Sequence, residues 1–414
     1  MRNIKLAAMP SAGKAYFPVF FMLLNAFLWY YLSLDMISTL SKNFGTEYLP
    51  SLLSLHSAGV IAAGFLGLFF SKKRYKLLFL WTILGAATSL PILMPIYELS
   101  LFQLICFAWG FSLGLGMPAC LSYFTEKILV EKRGRFGGLV FSASFLFAIL
   151  VTGLGQLFGS FFTPLFFVAW RFLGLIPFLT LELETKDTEL ETAGKQDVVS
   201  VVHDRRLYLY LIPWFTFNIV NTLEDLLLRG HVEAAFPEQY TLLKLMSLLF
   251  HMTFAFVGGL ACDLVGRKPI AISGFCGLGI AYALISIIPS SLAAWFFFFI
   301  GDGLAWGMFY TIFVTVIWGD LAPKGMGQYY YYLGNIPLFL ATIVQMCLAR
   351  SITFLSATSA FSLAAFFLFL AVLPILFAPE TLPEKKILER QVKDYVEKAR
   401  KLKDKYVQEP LSSS

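Results

Sequence analysis

Apolar residues run along this chain in blocks of about twenty, each closed by a short polar gap. The blocks do not alternate in the two-residue rhythm of strands, and they lack the polar face of a water-washed helix. A helix needs ~20 apolar residues to cross the ~30 Å of a bilayer's hydrocarbon. Twelve blocks meet or approach that length. The first six are Tyr16–Leu40, Pro50–Phe70, Leu77–Ile96, Leu99–Phe124, Gly138–Phe158 and Phe162–Leu181. The second six are Leu207–Leu228, Tyr240–Ala261, Pro269–Ile288, Leu292–Trp318, Gln328–Ala349 and Thr353–Phe377. Helix is the expected element because a lipid-facing backbone must satisfy its polar groups within the segment. The pattern therefore predicts an all-α integral membrane protein.

The longest polar stretch before the C-terminal tail runs from Glu182 to Arg206 and separates six blocks from six. It divides the chain into a first bundle (1–181), a linker (182–206), a second bundle (207–377) and a tail (378–414). The halves carry weak internal similarity. Gly64 to Lys73 (G-F-L-G-L-F-F-S-K-K) matches Gly259 to Lys268 (G-L-A-C-D-L-V-G-R-K) at an offset of 195 residues. R-G-R-F-G from Arg133 and K-G-M-G from Lys324 lie 191 apart, and Pro177 and Pro374 lie 197 apart. Near-equal offsets point to a duplicated six-helix unit, with a solute site expected near the midplane between the copies.

Charge fixes an orientation. Only 14% of residues are charged, against 58% apolar, and the net charge is +6. Alternate gaps, counted from the N-terminus, hold 27 of the 32 Lys and Arg, while the opposite gaps hold only Lys42, Arg229 and Arg350. This is the asymmetry of a membrane protein rather than a phosphate-binding stripe, and nucleic acid is not an expected partner. Both termini should be cytoplasmic, and the expected location is the plasma membrane. The compact chain, without long loops, reads as prokaryotic. The N-terminal M-R-N-I-K-L-A-A-M-P lacks a signal-peptide core, so the first span is expected to be retained. The five Cys form no C-x-x-C pair and read as small apolar residues. No metal or cofactor is expected. In the tail, Thr381 to Glu384 (T-L-P-E) reads as a capping box, and Leu388, Val392, Tyr395, Ala399, Leu402 and Tyr406 recur at helical spacing, which predicts a basic amphipathic helix.

The segment Gly259-Leu260-Ala261-Cys262-Asp263-Leu264-Val265-Gly266-Arg267-Lys268 resembles the loop signature G-x-x-x-D-x-x-G-R-K of the major facilitator superfamily, at the place where that family carries it. Trp170-Arg171 and Pro379-Glu380-Thr381 resemble two further, weaker patterns of the family. The resemblance implies two six-helix bundles related by a pseudo-twofold axis, and a transport class without a named solute. It also implies that Gly259, Asp263, Gly266, Arg267 and Lys268 form a conformational latch, with Asp263 facing the start of the fifth helix near Gly137 and Gly138. The alternative is a tight basic turn with no latch. The first-half copy departs from the signature, with Leu68 in place of the acid and Ser71 in place of the glycine.

Ionisable groups inside spans cost ~2.5–3.5 kcal/mol on insertion scales, so they usually face a cavity or a partner. Asp35 and Asp302 are the candidate proton-coupling or solute-binding carboxylates. Asp35 shares a face with Tyr31, and Asp302 with Trp306. On the seventh helix Trp214, Asn218, Asn221 and Asp225 form a stripe, and on the eleventh Tyr331, Asn335, Thr342 and Gln345 form another. Asn25, Trp29 and Gln103 add polar points in the first and fourth helices. Each stripe serves equally as a cavity lining or as helix–helix hydrogen bonding. In the family, helices 1, 4, 7 and 10 line the cavity. Arg171 has two readings: a deep cation facing the cavity, or a residue at the outer boundary. His56 and His251 read as packing residues or as a proton relay.

These features predict a secondary transporter, acting as a monomer, that moves a small solute by alternating access with proton coupling through Asp35 or Asp302. No G-x-x-x-x-G-K-[S/T] loop is found, which disfavours ATP hydrolysis by this chain. The alternatives are a transporter-like receptor that binds without translocating, and a membrane-embedded enzyme. The second is disfavoured because the four His are scattered.

Overall fold

A computed structural model describes residues 12–70, 73–159, 161–180, 198–352 and 356–383, with four further residues of the tail. The linker segment 182–197 and most of the tail, including the capping box at Glu384, lie outside the described residues. The long helices are α1 (Ala12–Ser41), α2 (Leu49–Leu68), α3 (Arg74–Ser89), α4 (Leu99–Lys127), α5 (Arg133–Phe158) and α6 (Phe162–Leu173) in the first half. The second half has α7 (Arg205–Ala235), α8 (Tyr240–Leu264), α9 (Arg267–Ile287), α10 (Leu292–Phe309), α11 (Gly327–Ile352) and α12 (Ala357–Phe377). No strand occurs among the described residues. The protein is a multi-pass, all-α membrane protein.

Among the described residues, eleven segments are long and apolar enough to cross a bilayer. The exception is α7, which holds Glu224, Asp225, Arg229, His231 and Glu233 in its second half. It packs as a bundle member against α11 and α12. Glu224 is buried there, Glu233 is exposed, and Gln345 Nε2 of α11 donates to the Thr222 carbonyl at 2.6 Å.

Several spans differ in detail from the sequence expectation; the seventh, for one, runs on to Ala235. The fifth begins at Arg133 rather than Gly138, because buried partners hold the Arg133 side chain. The sixth breaks after Leu173 and resumes as a short helix, Ile176–Thr180. The tenth continues past Phe309 through a π-helical segment, Tyr310–Val316, into Ile317–Leu321.

Two seams join the halves: α5 along α8, and α2 along α11. In the first seam the backbones nearly touch, since a Cβ on Gly138 would lie 2.4 Å from the Ala255 carbonyl oxygen. Ser142 Oγ also donates to the Met252 carbonyl at 2.6 Å. In the second, Ser54 Oγ donates to the Thr342 carbonyl at 3.2 Å and Gln328 Nε2 to the Gly67 carbonyl at 3.2 Å. Small residues and hydrogen bonds do this work because lipid tails are as apolar as Leu and give no hydrophobic drive between helices. Large apolar side chains such as Leu104, Phe65, Ile280 and Phe366 stay exposed on the outer surface, where a bilayer would cover them.

Asp204 fastens the start of α7. Its carboxylate accepts from the Arg206 amide at 2.9 Å as the helix cap, and from Tyr330 OH of α11 at 2.6 Å. Burial pushes the carboxyl up, but the bonds from Arg206 and Tyr330 outweigh it and hold the pKa below the ordinary Asp value. A lowered folded pKa stabilises the fold above the unfolded pKa, and that stability fades as pH falls through the folded value. Asp204→Ala should therefore cost about 1 kcal/mol at neutral pH. In melting curves the gap between wild type and variant should shrink towards zero below about pH 4. A gap that is independent of pH would show that the carboxylate charge contributes nothing.

Candidate functional site

The basic end of the bundle is closed by a network of charges that crosses between the halves. Gly266 has φ +125°, a conformation open to glycine, which lets the chain turn sharply from α8 into α9. The turn places Asp263 against the N-terminus of α5, where its Oδ1 and Oδ2 accept from the Gly134 and Arg135 amides, each at 2.9 Å. A carboxylate at that position satisfies free helix-terminal donors and the positive end of the helix dipole. Arg135 Nε adds a third bond to Asp263 at 3.1 Å. Arg267 is wholly buried; it contacts Asp263 Oδ1 at 3.2 Å and Asp320 Oδ2 at 3.1 Å, and donates to the Val130 carbonyl of the first half at 2.5 Å. Asp320 also receives Arg133 Nη1 from the first half at 2.6 Å. Glu380 accepts from the Arg267 and Lys268 amides at 2.9 and 3.1 Å, which ties the end of α12 to the same turn.

The family resemblance implied that Asp263 faces the start of the fifth helix and marked Glu380 only as part of the weak P-E-T pattern; it gave Arg133 and Asp320 no role. Arg133 and Asp320 lie 187 residues apart, in no shared motif. An acid at the end of the tenth span and an arginine at the start of the fifth were the only signals, and both pass as ordinary interface charges.

Beyond this seal, towards the opposite face, a cavity of about 170 Å³ opens among α7, α8, α9 and α10. Asn221, Lys244, Ser247, His251, Asp302 and Trp306 supply its polar lining. Ser247 Oγ donates to Asp302 Oδ2 at 2.8 Å, and Trp306 Nε1 donates to Asn221 Oδ1 at 3.2 Å. His251 Nε2 stands 3.8 Å from Asp302 Oδ2. The first half meets this group through aromatic rings: Phe145 of α5 lies 5.5 Å from the His251 ring and 5.6 Å from Tyr310, and Tyr31 of α1 packs edge-on to Phe145 at 6.3 Å. Asp35 lies one turn from Tyr31, and Lys244 of α8 and Lys42 are opposite charges that act on it.

Asp302, Asn221 and Trp306 thus line the cavity, whereas Tyr31 and Asp35 are not among its lining residues; Tyr31 packs on Phe145, which in turn meets the His251 ring. The other candidates sit elsewhere. Asn25, Trp29 and Arg171 are buried inside the first half. Arg171 Nη1 donates to Asn25 Oδ1 at 2.7 Å, and its guanidinium lies 5.1 Å from Trp29 and 4.5 Å from Trp81. Trp29 Nε1 donates to Ser89 Oγ at 2.8 Å. Arg171 is therefore neither at the outer boundary nor in the cavity; it is a core cation held by aromatic faces and an amide. Trp214 is buried and stacks on Phe313 at 5.0 Å, and Asn218 Nδ2 returns to the Trp214 carbonyl at 2.7 Å. Tyr331 OH donates to the Thr315 carbonyl beside the π segment, and Asn335 is buried within α11. Gln103 is half-buried near the start of α4. The side chain of Asp225 lies outside the described residues. The cavity lining named above comes wholly from the second half, whereas the family resemblance implied a contribution from helices 1 and 4.

The first-half core yields a test. A Cβ at Gly85 would meet Arg171 Nε at 2.3 Å. Gly85→Ala should destabilise by about 1–3 kcal/mol through overpacking. Arg171→Met, which keeps the stem and removes the head, should relieve much of that loss in the double variant. Additive effects in thermal unfolding would contradict the contact.

No family model and no curated protein sequence matches the chain. Solved structures do match. The proton:xylose symporter XylE, a major facilitator superfamily protein bound to 6-bromo-6-deoxy-D-glucose, aligns over 90% of this chain and 97% of its own, with TM-score 0.70 and 14% identity. The human organic anion transporter MFSD10 (TETRAN) aligns over 89% of this chain and 100% of its own, with TM-score 0.68 and 13% identity. The chain has the major facilitator superfamily fold.

Proposed function

We propose that this protein is a secondary transporter that carries a small polar solute across the membrane by alternating access, coupled to protons. The observation that carries this reading is a polar cavity with a carboxylate in its wall, set above a charge-sealed end of the bundle. A site open to one side and closed to the other is what alternating access requires of one of its states. With the basic end cytoplasmic, the described state is closed inward. Breaking the seal while α5 and α8 close over the cavity would give the opposite state. The volume of about 170 Å³ lies below the ~300–1,000 Å³ of drug-sized sites and suits a small solute with hydroxyl or amide groups for Asn221 and Trp306. The structural neighbours are a sugar symporter and an organic anion transporter, and both solute classes belong in a first panel.

Of the two candidate carboxylates, Asp302 has the stronger claim to the proton, because it lines the cavity. The test is uptake by proteoliposomes with an imposed pH gradient, using labelled sugars, organic acids and amino acids. Accumulation that collapses with a protonophore supports the proposal. Binding without entry would favour the receptor reading, and loss of label to a new compound would favour an enzyme.

A further inference from the structure

His251 and Asp302 are presented to each other in a way that packing alone does not require. His251 Nδ1 is 2.7 Å from the Ser247 carbonyl oxygen. A carbonyl can only accept, so Nδ1 carries the hydrogen. In a neutral ring Nε2 is then a bare lone pair, and this is the nitrogen that stands 3.8 Å from Asp302 Oδ2. The same Oδ2 accepts from Ser247 Oγ at 2.8 Å. One residue, Ser247, thus fixes the imidazole tautomer with its backbone and the carboxyl with its side chain.

A bare ring nitrogen and an ionised carboxylate repel when they face each other. One added proton turns the repulsion into attraction, whichever of the two groups holds it. We propose that His251 and Asp302 form a one-proton site at the cavity wall, and that this pair is where the transporter reading above locates its coupling proton. The exchange is balanced within the pair. The Asp302 O–H bond breaks and its electrons stay on the carboxylate, while the Nε2 lone pair forms the new N–H bond. The 3.8 Å gap is longer than a hydrogen bond. A small rotation of the carboxyl, or one water in the cavity, closes it.

The position suits coupling. His251 lies where α8 meets both α5 and α10: Phe145 of α5 covers its ring, and a Cβ on Gly307 of α10 would lie 2.7 Å from its carbonyl oxygen. The charge of the pair therefore acts at the seam between the halves. The other ionisable groups around it are Lys244 and Tyr240 on α8, Tyr282 on α9 and Tyr310 at the start of the π segment after α10. On α1, Tyr30 and Tyr31 act electrostatically on Tyr310, and Asp35 acts on Tyr31; α7 lines the cavity with Asn221. Lys244 is the cation that shares the cavity wall, and it disfavours a second proton on the pair.

The test needs no solute. The full chain, labelled with ¹⁵N-histidine and held in nanodiscs, gives signals from four histidines, with His251 assigned by its loss in His251→Gln. The neutral ring should show hydrogen on Nδ1. Asp302→Asn should move the His251 titration midpoint down by about one pH unit or more, since an anion at this range favours the imidazolium. Asp302→Glu, which restores the charge, should bring the midpoint back and guards against a folding artefact. Hydrogen on Nε2, or a midpoint indifferent to Asp302→Asn, overturns the pair. Because the readout is titration alone, its failure is separate from failure of the uptake panel, which would remove the transport reading and leave the titration as it is.

Discussion

Asp320→Asn should unfold or open the basic end of the bundle. The Asp320 side chain is fully buried and bridges Arg133 of the first half to Arg267 of the second. The substitution keeps the shape and removes the charge, which leaves two buried guanidinium groups without their shared anion. Breaking a buried pair in this way costs about 3–5 kcal/mol, because the remaining charge stays desolvated. Asp263 still contacts Arg267 and cannot also serve Arg133, since its oxygens are bonded to the Gly134 and Arg135 amides. The expected results are a clear drop in melting temperature in nanodiscs and new reactivity at Cys262. That thiol is fully buried under the α5–α8 crossing, 2.2 Å from where a Gly134 Cβ would stand. With Cys276 and Cys347 replaced by Ser, a maleimide should label the Asp320→Asn protein much faster than its parent. Equal labelling and equal melting would mean that the charge network closes nothing.

Asp302→Asn should abolish accumulation driven by a pH gradient while leaving exchange of solute across the membrane. A gradient of one pH unit is worth about 1.4 kcal/mol per proton, or about tenfold accumulation at one proton per solute. The variant should fall from that ratio to about one, because an amide cannot take up and release the proton. Its hydrogen bond from Ser247 Oγ can persist, so the cavity should keep its shape. His251→Gln should have the same effect if the proton is shared, and a smaller one if Asp302 carries it alone. Asp35→Asn is the control on α1: retained accumulation is expected, because Asp35 stands apart from the cavity lining. Loss of accumulation in Asp35→Asn with full activity in Asp302→Asn would move the proton site to the first helix.

The spans were readable because insertion into a bilayer is decided segment by segment. Each apolar block carries nearly its whole cost or gain in its own residues. The glycine, acid and basic pair around Gly266 were readable for a related reason, since a tight turn between antiparallel helices is a local event. The polar stripes were not. In a soluble helix, polarity marks the outer face; here lipid and core are both apolar, so a polar residue says only that its side avoids lipid. Asn25, Trp29 and Arg171 avoid it by packing within the first half, whereas Asn221 and Asp302 avoid it by facing the cavity.

By itself the sequence determined that the chain spans a membrane many times as helices, with a duplicated pattern and a basic end. Only the tertiary structure decided that His251 meets Asp302, that Asp320 joins Arg133 to Arg267, and that Arg171 belongs to a core. Those meetings depend on how far each helix is rotated about its own axis, and that rotation is fixed by packing between helices distant in the chain.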